Sequence, residues 1–149
     1  MEENKTRSNF HNNNNDEEEE MQAVSLIETN LKRLRVSSTL NKNTREFGKD
    51  FMIDGNDETC WNSHQGSPQS ISIEFKQAAT LNSVQIMFQG GFTGKNCEFW
   101  VRKAGGSEQD AAELVLLKSF YPEDKNTMQV WSSAIVDYLR VFDCRMISF

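Results

Sequence analysis

From Arg35 onward the chain consists of short runs in which apolar and polar residues alternate. Ile71, Ile73 and Phe75 alternate with Ser72 and Glu74, and Val84, Ile86 and Phe88 with Gln85 and Met87. Cys97, Phe99 and Val101 alternate with Glu98, Trp100 and Arg102. Met128 and Val130 alternate with Gln129 and Trp131, and Leu139 and Val141 with Tyr138, Arg140 and Phe142. A period of two sends successive side chains to opposite faces of a strand. Leu114 to Tyr121 is apolar at nearly every position, which predicts a central strand covered on both faces. Turn residues punctuate the runs: Asp54-Gly55-Asn56-Asp57, Gly66-Ser67-Pro68, Gln89-Gly90-Gly91, Gly105-Gly106-Ser107 and Pro122-Glu123-Asp124. Short strands separated in this way predict an all-β sandwich or barrel. Ahead of them, Met21, Val24, Ile27, Leu31 and Leu34 recur at intervals of three and four, which predicts a short helix or lead-in over 21–34.

Charge changes the picture at the N-terminal end. The 149 residues carry 22 acids and 16 bases, a net of −6. Residues 1–20 hold seven of the acids and two of the bases, so the remaining 129 residues, with 15 acids and 14 bases, are nearly neutral. Asn12 to Asn15 followed by Asp16 and Glu17 to Glu20 is the composition of a disordered Asn/acidic tail. A near-neutral domain lacks the basic face that displaces counterions from nucleic acid, and lacks the bulk charge that adheres to an anionic membrane. No apolar stretch has the length of a membrane span. Met1-Glu-Glu-Asn-Lys-Thr-Arg has no apolar segment behind it, so no secretory signal is expected, and three cysteines (Cys60, Cys97, Cys144) predict reduced thiols.

Catalytic chemistry finds little support. Cys60 and His64 stand four apart, but they lack a further base and an orienting partner, and Cys60 beside Trp61 reads as a small core residue. Cys97 and Cys144 stand apart from any zinc-like spacing. Gly90-Gly91 and Gly105-Gly106 lack the lysine and hydroxyl residue of a phosphate-cradling loop. The informative stretch runs from Phe51 to Phe75. Asp54 can accept backbone N–H groups two or three residues on, Gly55 permits a positive φ, Thr59 can close the same turn, and Trp61 is large enough to plug one end of a sandwich.

Asp54-Gly55, Thr59-x-Trp61-x-Ser63 and Ile71-x-Ile73-Glu74-Phe75 resemble the discoidin family, coagulation factor five/eight type C, whose fold is a galactose-binding-like jelly-roll β-sandwich. Arg35-Val-Ser-Ser-Thr-Leu-Asn-Lys-Asn-Thr-Arg-Glu-Phe-Gly48, Glu58-Thr-Cys-Trp-Asn-Ser63, Phe88-Gln-Gly-Gly-Phe92 and Phe120-Tyr-Pro-Glu-Asp-Lys-Asn126 are similar, more narrowly, to the nuclear-receptor-associated members of that superfamily. Those are testicular orphan receptor-associated repressors, and the resemblance covers Arg35 to Val141. It implies a discoidin-like sandwich over 35–149 with ligand- or partner-binding loops at one end. On this chain the loop residues are Asn62, Ser63, His64 and Gln65, and Gln89, Phe92 and Lys95; Asp54, Gly55, Thr59 and Trp61 form the structural motif. Some relatives hold calcium near the Asp-Gly turn, which makes Asp54, Asn56 and Thr59 the candidate ligands; no other cofactor is implied. Relatives add an acidic group from a long closing strand, whereas only seven residues follow Phe142 here. The closing strand is therefore expected to be absent or replaced by Asp143 to Phe149, with an unpaired strand edge as the consequence.

The function implied is a non-enzymatic protein-interaction module, located in the nucleus with the cytoplasm as a second compartment. It would bind a nuclear receptor or similar transcription factor and repress transactivation by masking DNA binding, with no direct nucleic-acid or membrane contact. The acidic tail could mimic phosphate charge against a basic surface, and Lys32-Arg33-Leu34-Arg35 is a short basic cluster of import-signal type. Two alternatives carry other chemistry. One is an intracellular carbohydrate-binding module in which Phe92 stacks on a sugar. The other is a substrate-recruiting ubiquitin-ligase subunit like the Doc domain.

Overall fold

A computed structural model describes residues 24–105 and 113–148. The expectations for residues 1–20 lie outside the described residues. The first element, α1 (Leu26–Asn30), starts where Ser25 caps it by accepting the Glu28 N–H at 3.3 Å, and Glu28 sits in the first turn, where negative charge suits the helix end. It stops after five residues because the Asn30 side chain exchanges two hydrogen bonds with the Gln77 backbone, at 2.9 and 3.0 Å. Strand β1 (Leu31–Val36) follows at once. The helical spacing through Leu31 and Leu34 has a different origin. A bulge between Leu31 and Arg33 inserts one residue, so Leu31, opposite Phe75, and Leu34, opposite Ile73, share the inner face three positions apart.

A 3₁₀ turn (Leu40–Lys42), the short helix α2 (Thr44–Phe47) and a second 3₁₀ turn (Lys49–Met52) lead to β2 (Gln69–Met87), β3 (Asn96–Lys103), β4 (Val115–Phe120) and β5 (Met128–Ser148). All pairings are antiparallel, in the order β1-β2-β5-β3-β4. β2 and β5 pair twice. Gln69 to Glu74 face Met146 to Val141, and Leu81 to Met87 face Val136 to Met128. Between these stretches the register slips, and Tyr138 takes φ 56°. The ribbon bends there and its second stretch folds over the sheet. Leu81, Val84, Ile86, Trp131 and Val136 thereby join Phe75, Cys97, Phe99, Val101, Phe120, Phe142, Cys144 and Met146 in one core. Phe99 stacks on Phe120 at 4.0 Å between centroids, and Trp131 reaches Phe120 at 4.6 Å and Phe99 at 6.1 Å.

Two expectations need correction. Val115–Phe120 is an edge strand and not a central one. Val115 and Leu116 are 60% and 45% exposed, while Leu117 and Phe120 face the core. The terminal residues also do not leave a gap. Asp143 to Met146 pair with β2 on one side and β3 on the other, and Cys144 and Met146 are buried. The segment expected to leave an unpaired edge is the centre of the sheet, because alternation of Phe142, Cys144 and Met146 supplies an apolar inner face. The edges are β1 and β4.

Gly94 lies where the chain enters β3. A Cβ there would sit 2.8 Å from the Cys97 sulfur and 3.0 Å from Met146 Cγ. Gly94→Ala is expected to lower unfolding free energy by about 1–3 kcal/mol through overpacking, read by urea denaturation. Burial pushes the Cys97 thiol up to about 12 from the ordinary 9.0, and Cys144 further still. A thiol held protonated by the fold stabilises it in full below its unfolded value and loses that contribution as pH rises toward the folded value. Stability should therefore fall above pH 9.0 by up to about 1.4 kcal/mol per pH unit for each thiol. Cys97→Ala should flatten that fall, and parallel curves for the two proteins would contradict the account.

Candidate functional site

The sandwich end where β2 starts, and to which its second stretch returns at Met87, gathers three loops. The first is the Asp54 turn. Asp54 accepts the Asn56 N–H at 2.9 Å through Oδ1 and the Thr59 hydroxyl at 2.6 Å through Oδ2. Asn56 Oδ1 accepts the Glu58 N–H at 3.0 Å, and Gly55 has φ 75°. The Thr59 and Asn56 bonds hold the Asp54 carboxyl below its usual range. Asp54, Asn56 and Thr59 together bring four side-chain oxygens, each engaged in the turn's own hydrogen bonds, short of the six to eight that calcium takes, so these side chains alone do not make a calcium site.

The second loop follows Trp61. Trp61 packs against the core and its indole N–H donates to the Ser38 carbonyl at 2.8 Å. Asn62 is half-buried and its carbonyl accepts the Leu40 N–H at 2.8 Å, so it joins the loop to the first 3₁₀ turn. Ser63 is half-buried; His64 and Gln65 are exposed. The brace of this loop is Gln69. Its buried side chain accepts the Ser37 and Ser38 hydroxyls at 2.5 and 2.7 Å and donates to the His64 and Gly66 carbonyls at 3.1 and 2.9 Å.

The third element is a pair of loops, 88–95 and 121–127, tied together by side chains. Phe92 N–H bonds the Gln89 carbonyl at 3.0 Å across a turn in which Gly91 takes φ 83°, the third-position geometry of a type II turn. Gly91 N–H and the Thr93 hydroxyl donate to Asp124 Oδ1 at 2.7 and 3.0 Å, and Gly90 N–H donates to Asn126 Oδ1. Gln129 is buried and braces 121–127, accepting the Glu123 N–H at 2.9 Å and donating to the Glu123 carbonyl at 2.8 Å. Gln89 is exposed and accepts from the Cys60 thiol at 3.4 Å, which joins this pair to the chain ahead of Trp61. Lys95 is exposed, and its N–H is fixed to the Ser148 carbonyl at 2.8 Å. Phe92 stands 68% exposed and Tyr121 72% exposed. The end thus presents aromatic side chains from loops whose backbones are fixed. Tyr121, Asp124, Asn126, Gln69 and Gln129 are not among the site residues read from sequence.

The NedA-like, galactose-binding domain of the F5/8 type C group matches residues 51–141. The nuclear receptor 2C2-associated protein of Danio rerio is 48% identical over 107 residues, covering 72% of this chain and 71% of that protein. The Homo sapiens protein of the same name is 43% identical over 109 residues, covering 72% and 74%. The chain belongs to this family of F5/8 type C proteins. Among solved structures, an F5/8 type C domain from Bacteroides fragilis superimposes with TM-score 0.64 at 15% identity, covering 77% of this chain and 80% of that one. The family 32 CBM of C. perfringens NanJ, in complex with galactose, gives TM-score 0.62 at 18% identity, covering 78% and 82%. These structures share the all-β F5/8 type C fold with this chain. Within it, Asp124 and Asn126 belong to the Phe120–Asn126 block on which the resemblance was read. Asp124→Ala should release the Gly91 N–H and the Thr93 hydroxyl. Amide exchange of Gly90 to Phe92 is expected to quicken at least about fivefold, the equivalent of roughly 1 kcal/mol, while exchange in β3 and β5 is unchanged.

Proposed function

We propose that this chain is a non-enzymatic interaction module that binds a nuclear receptor of the 2C2 kind, acts in the nucleus, and represses transactivation by covering receptor surface needed for DNA binding. The support for the partner is the name shared by relatives at 43–48% identity over about seven-tenths of each chain. The observation that carries the binding surface is Phe92, 68% exposed on a turn whose N–H groups are held by Asp124 and Asn126. An aromatic on a pre-ordered backbone loses little freedom on binding, which is why such residues dominate interface energetics. Tyr121 widens the same end, and Lys95 and Gln89 supply a polar rim. Masking needs no contact with DNA, in keeping with a domain of 15 acids and 14 bases behind the acidic residues 1–20.

The test is binding of the purified full chain to purified nuclear receptor 2C2, with and without the receptor's DNA element. Phe92→Ala is expected to weaken binding at least about tenfold, and Phe92→Ala with Tyr121→Ala about thirtyfold or more, with the fold intact by circular dichroism. Wild-type protein should displace receptor from DNA in proportion to occupancy. Undiminished binding by the double variant would overturn the surface assigned. Saturable galactose binding at millimolar sugar, lost in Phe92→Ala and unaccompanied by receptor binding, would overturn the function.

A further inference from the structure

The short basic cluster Lys32-Arg33-Leu34-Arg35 is not a free basic peptide in the fold. It lies inside β1, where Leu34 is buried and Arg33 and Arg35 point to the outer face of the sheet. Register carries those two arginines across the sheet in rows. Arg33 lies opposite Glu74, Glu74 opposite Val141, and Val141 opposite Arg102 on β3. In the next row Arg35 lies opposite Ser72, Ser72 opposite Asp143, and Asp143 opposite Trp100. Long arginines from β1 and β3 therefore flank small residues, Ser72 and Val141, between them. The result is a trough of about 70 Å³ lined by Arg33, Arg35, Ser72, Glu74, Arg102 and Val141.

Its charge is compensated only in part, by the Glu74 carboxylate in its wall. Glu74 is held by Lys32 Nζ at 2.7 Å, with Arg33 and Arg140 acting on it at longer range, and stays ionised. Asp143 reaches Arg145 through Oδ2 at 3.8 Å while its buried Oδ1 has no hydrogen-bond partner among the described residues, and Arg145 in turn lies over the Trp100 ring at 4.5 Å. Among the described residues, no carboxylate comes within ion-pair distance of Arg33, Arg35 or Arg102. Three arginines, two from β1 and one from β3, thus line one small recess in a domain that is otherwise nearly neutral.

We propose that this trough is a phosphate-recognition site for a phosphorylated segment of a partner protein. A phosphomonoester brings close to two negative charges and three acceptor oxygens, which three planar guanidinium forks match better than a single carboxylate would. The trough, about 70 Å³ and open onto the sheet face, has room for a tetrahedral oxyanion. The open sheet face around it leaves room for the extended chain that carries the phosphate. A nucleic-acid strand fits less well, because one isolated trough cannot follow a repeating backbone charge. The site lies on the face of the sheet and uses none of the loop residues at the sandwich end, so it stands or falls apart from the receptor-binding surface.

The experiment is NMR titration of the full chain, following the Arg Nε–H resonances, with a blocked Gly-Ala-phosphoserine-Ala-Gly peptide and its unphosphorylated twin. The phosphopeptide is expected to shift Arg33, Arg35 and Arg102 saturably and the twin to shift none. Arg35→Gln and Arg102→Gln should each weaken binding at least about tenfold with an unchanged amide spectrum. Arg102→Lys should also weaken it, since the charge stays and the fork is lost. Inorganic phosphate bound as tightly as the peptide would overturn the assignment in favour of a free-anion site. An oligonucleotide that shifts the same arginines more strongly would overturn it in favour of nucleic acid. Absence of any shift at 10 mM phosphopeptide, or equal binding by the glutamine variants, would also overturn it.

Discussion

The bend in the β2–β5 ribbon is the constraint on which the rest of the molecule depends. A straight ribbon of that length would bury one face of one sheet and leave the other half in solvent. The slips in pairing between Glu74 and Ser83 let it fold back, so that Trp131 from the returning half meets Phe99 and Phe120 from the sheet. The energetic return comes from burying the aromatic cluster around Phe99, which is 1% exposed. The local cost is visible at Tyr138, which holds a left-handed backbone conformation at the corner. The same fold-back brings the end of the second stretch alongside the start of the first, and that is why all three loops share one end.

Loops that meet in this way still have to be held, and here two buried glutamines do it. Gln69 and Gln129 each turn a side chain inward at the start of a strand and satisfy both the amide and the carbonyl with loop partners. A buried amide left half-bonded would cost more than an apolar residue in its place, so each glutamine makes one loop conformation strongly preferred. Asp124 and Asn126 extend the restraint to the glycine turn beneath Phe92. Exposure of Phe92 is then a property of a fixed backbone and not of a loose one.

The sandwich was legible because period-two alternation survives in the inner faces of β2 and β3, Ile71, Ile73 and Phe75 or Cys97, Phe99 and Val101, although at the start of β5 its phase is inverted, with Met128 and Val130 exposed and Gln129 and Trp131 turned inward. The Asp54 turn was legible because its chemistry is local, aspartate to N–H and hydroxyl within five residues. The short helix expected within 21–34 runs only from Leu26 to Asn30 among the described residues; beyond it the bulge in β1 set Leu31 and Leu34 three apart and carried a helical spacing into a strand. Position within a sheet left no such mark, so the apolar run of β4 read as central although it lies at the edge. The braces were in phase with the core all along, since Gln69 precedes Ile71 and Ile73 by two and four, and Gln129 precedes Trp131 by two. A polar residue at an inward position just after a turn was the signal, and its meaning depended on loop partners up to 32 residues away.

Charge explains why the two exposed surfaces can coexist on so small a domain. The loop end offers the exposed aromatics Phe92 and Tyr121, and a partner proposed to dock there would gain by expelling water around them, an effect that salt leaves nearly intact. The outer sheet face offers arginines around one recess, and ions would screen anything it attracts. Because β1 and β3 sit on opposite sides of the β2–β5 pair, Arg33 and Arg102 are brought together by strand order and register, with no loop involved. A loop-end substitution therefore leaves the trough intact, and a trough substitution leaves the loops braced. The fold separates the two surfaces by the same sheet that buries Phe99 between its layers.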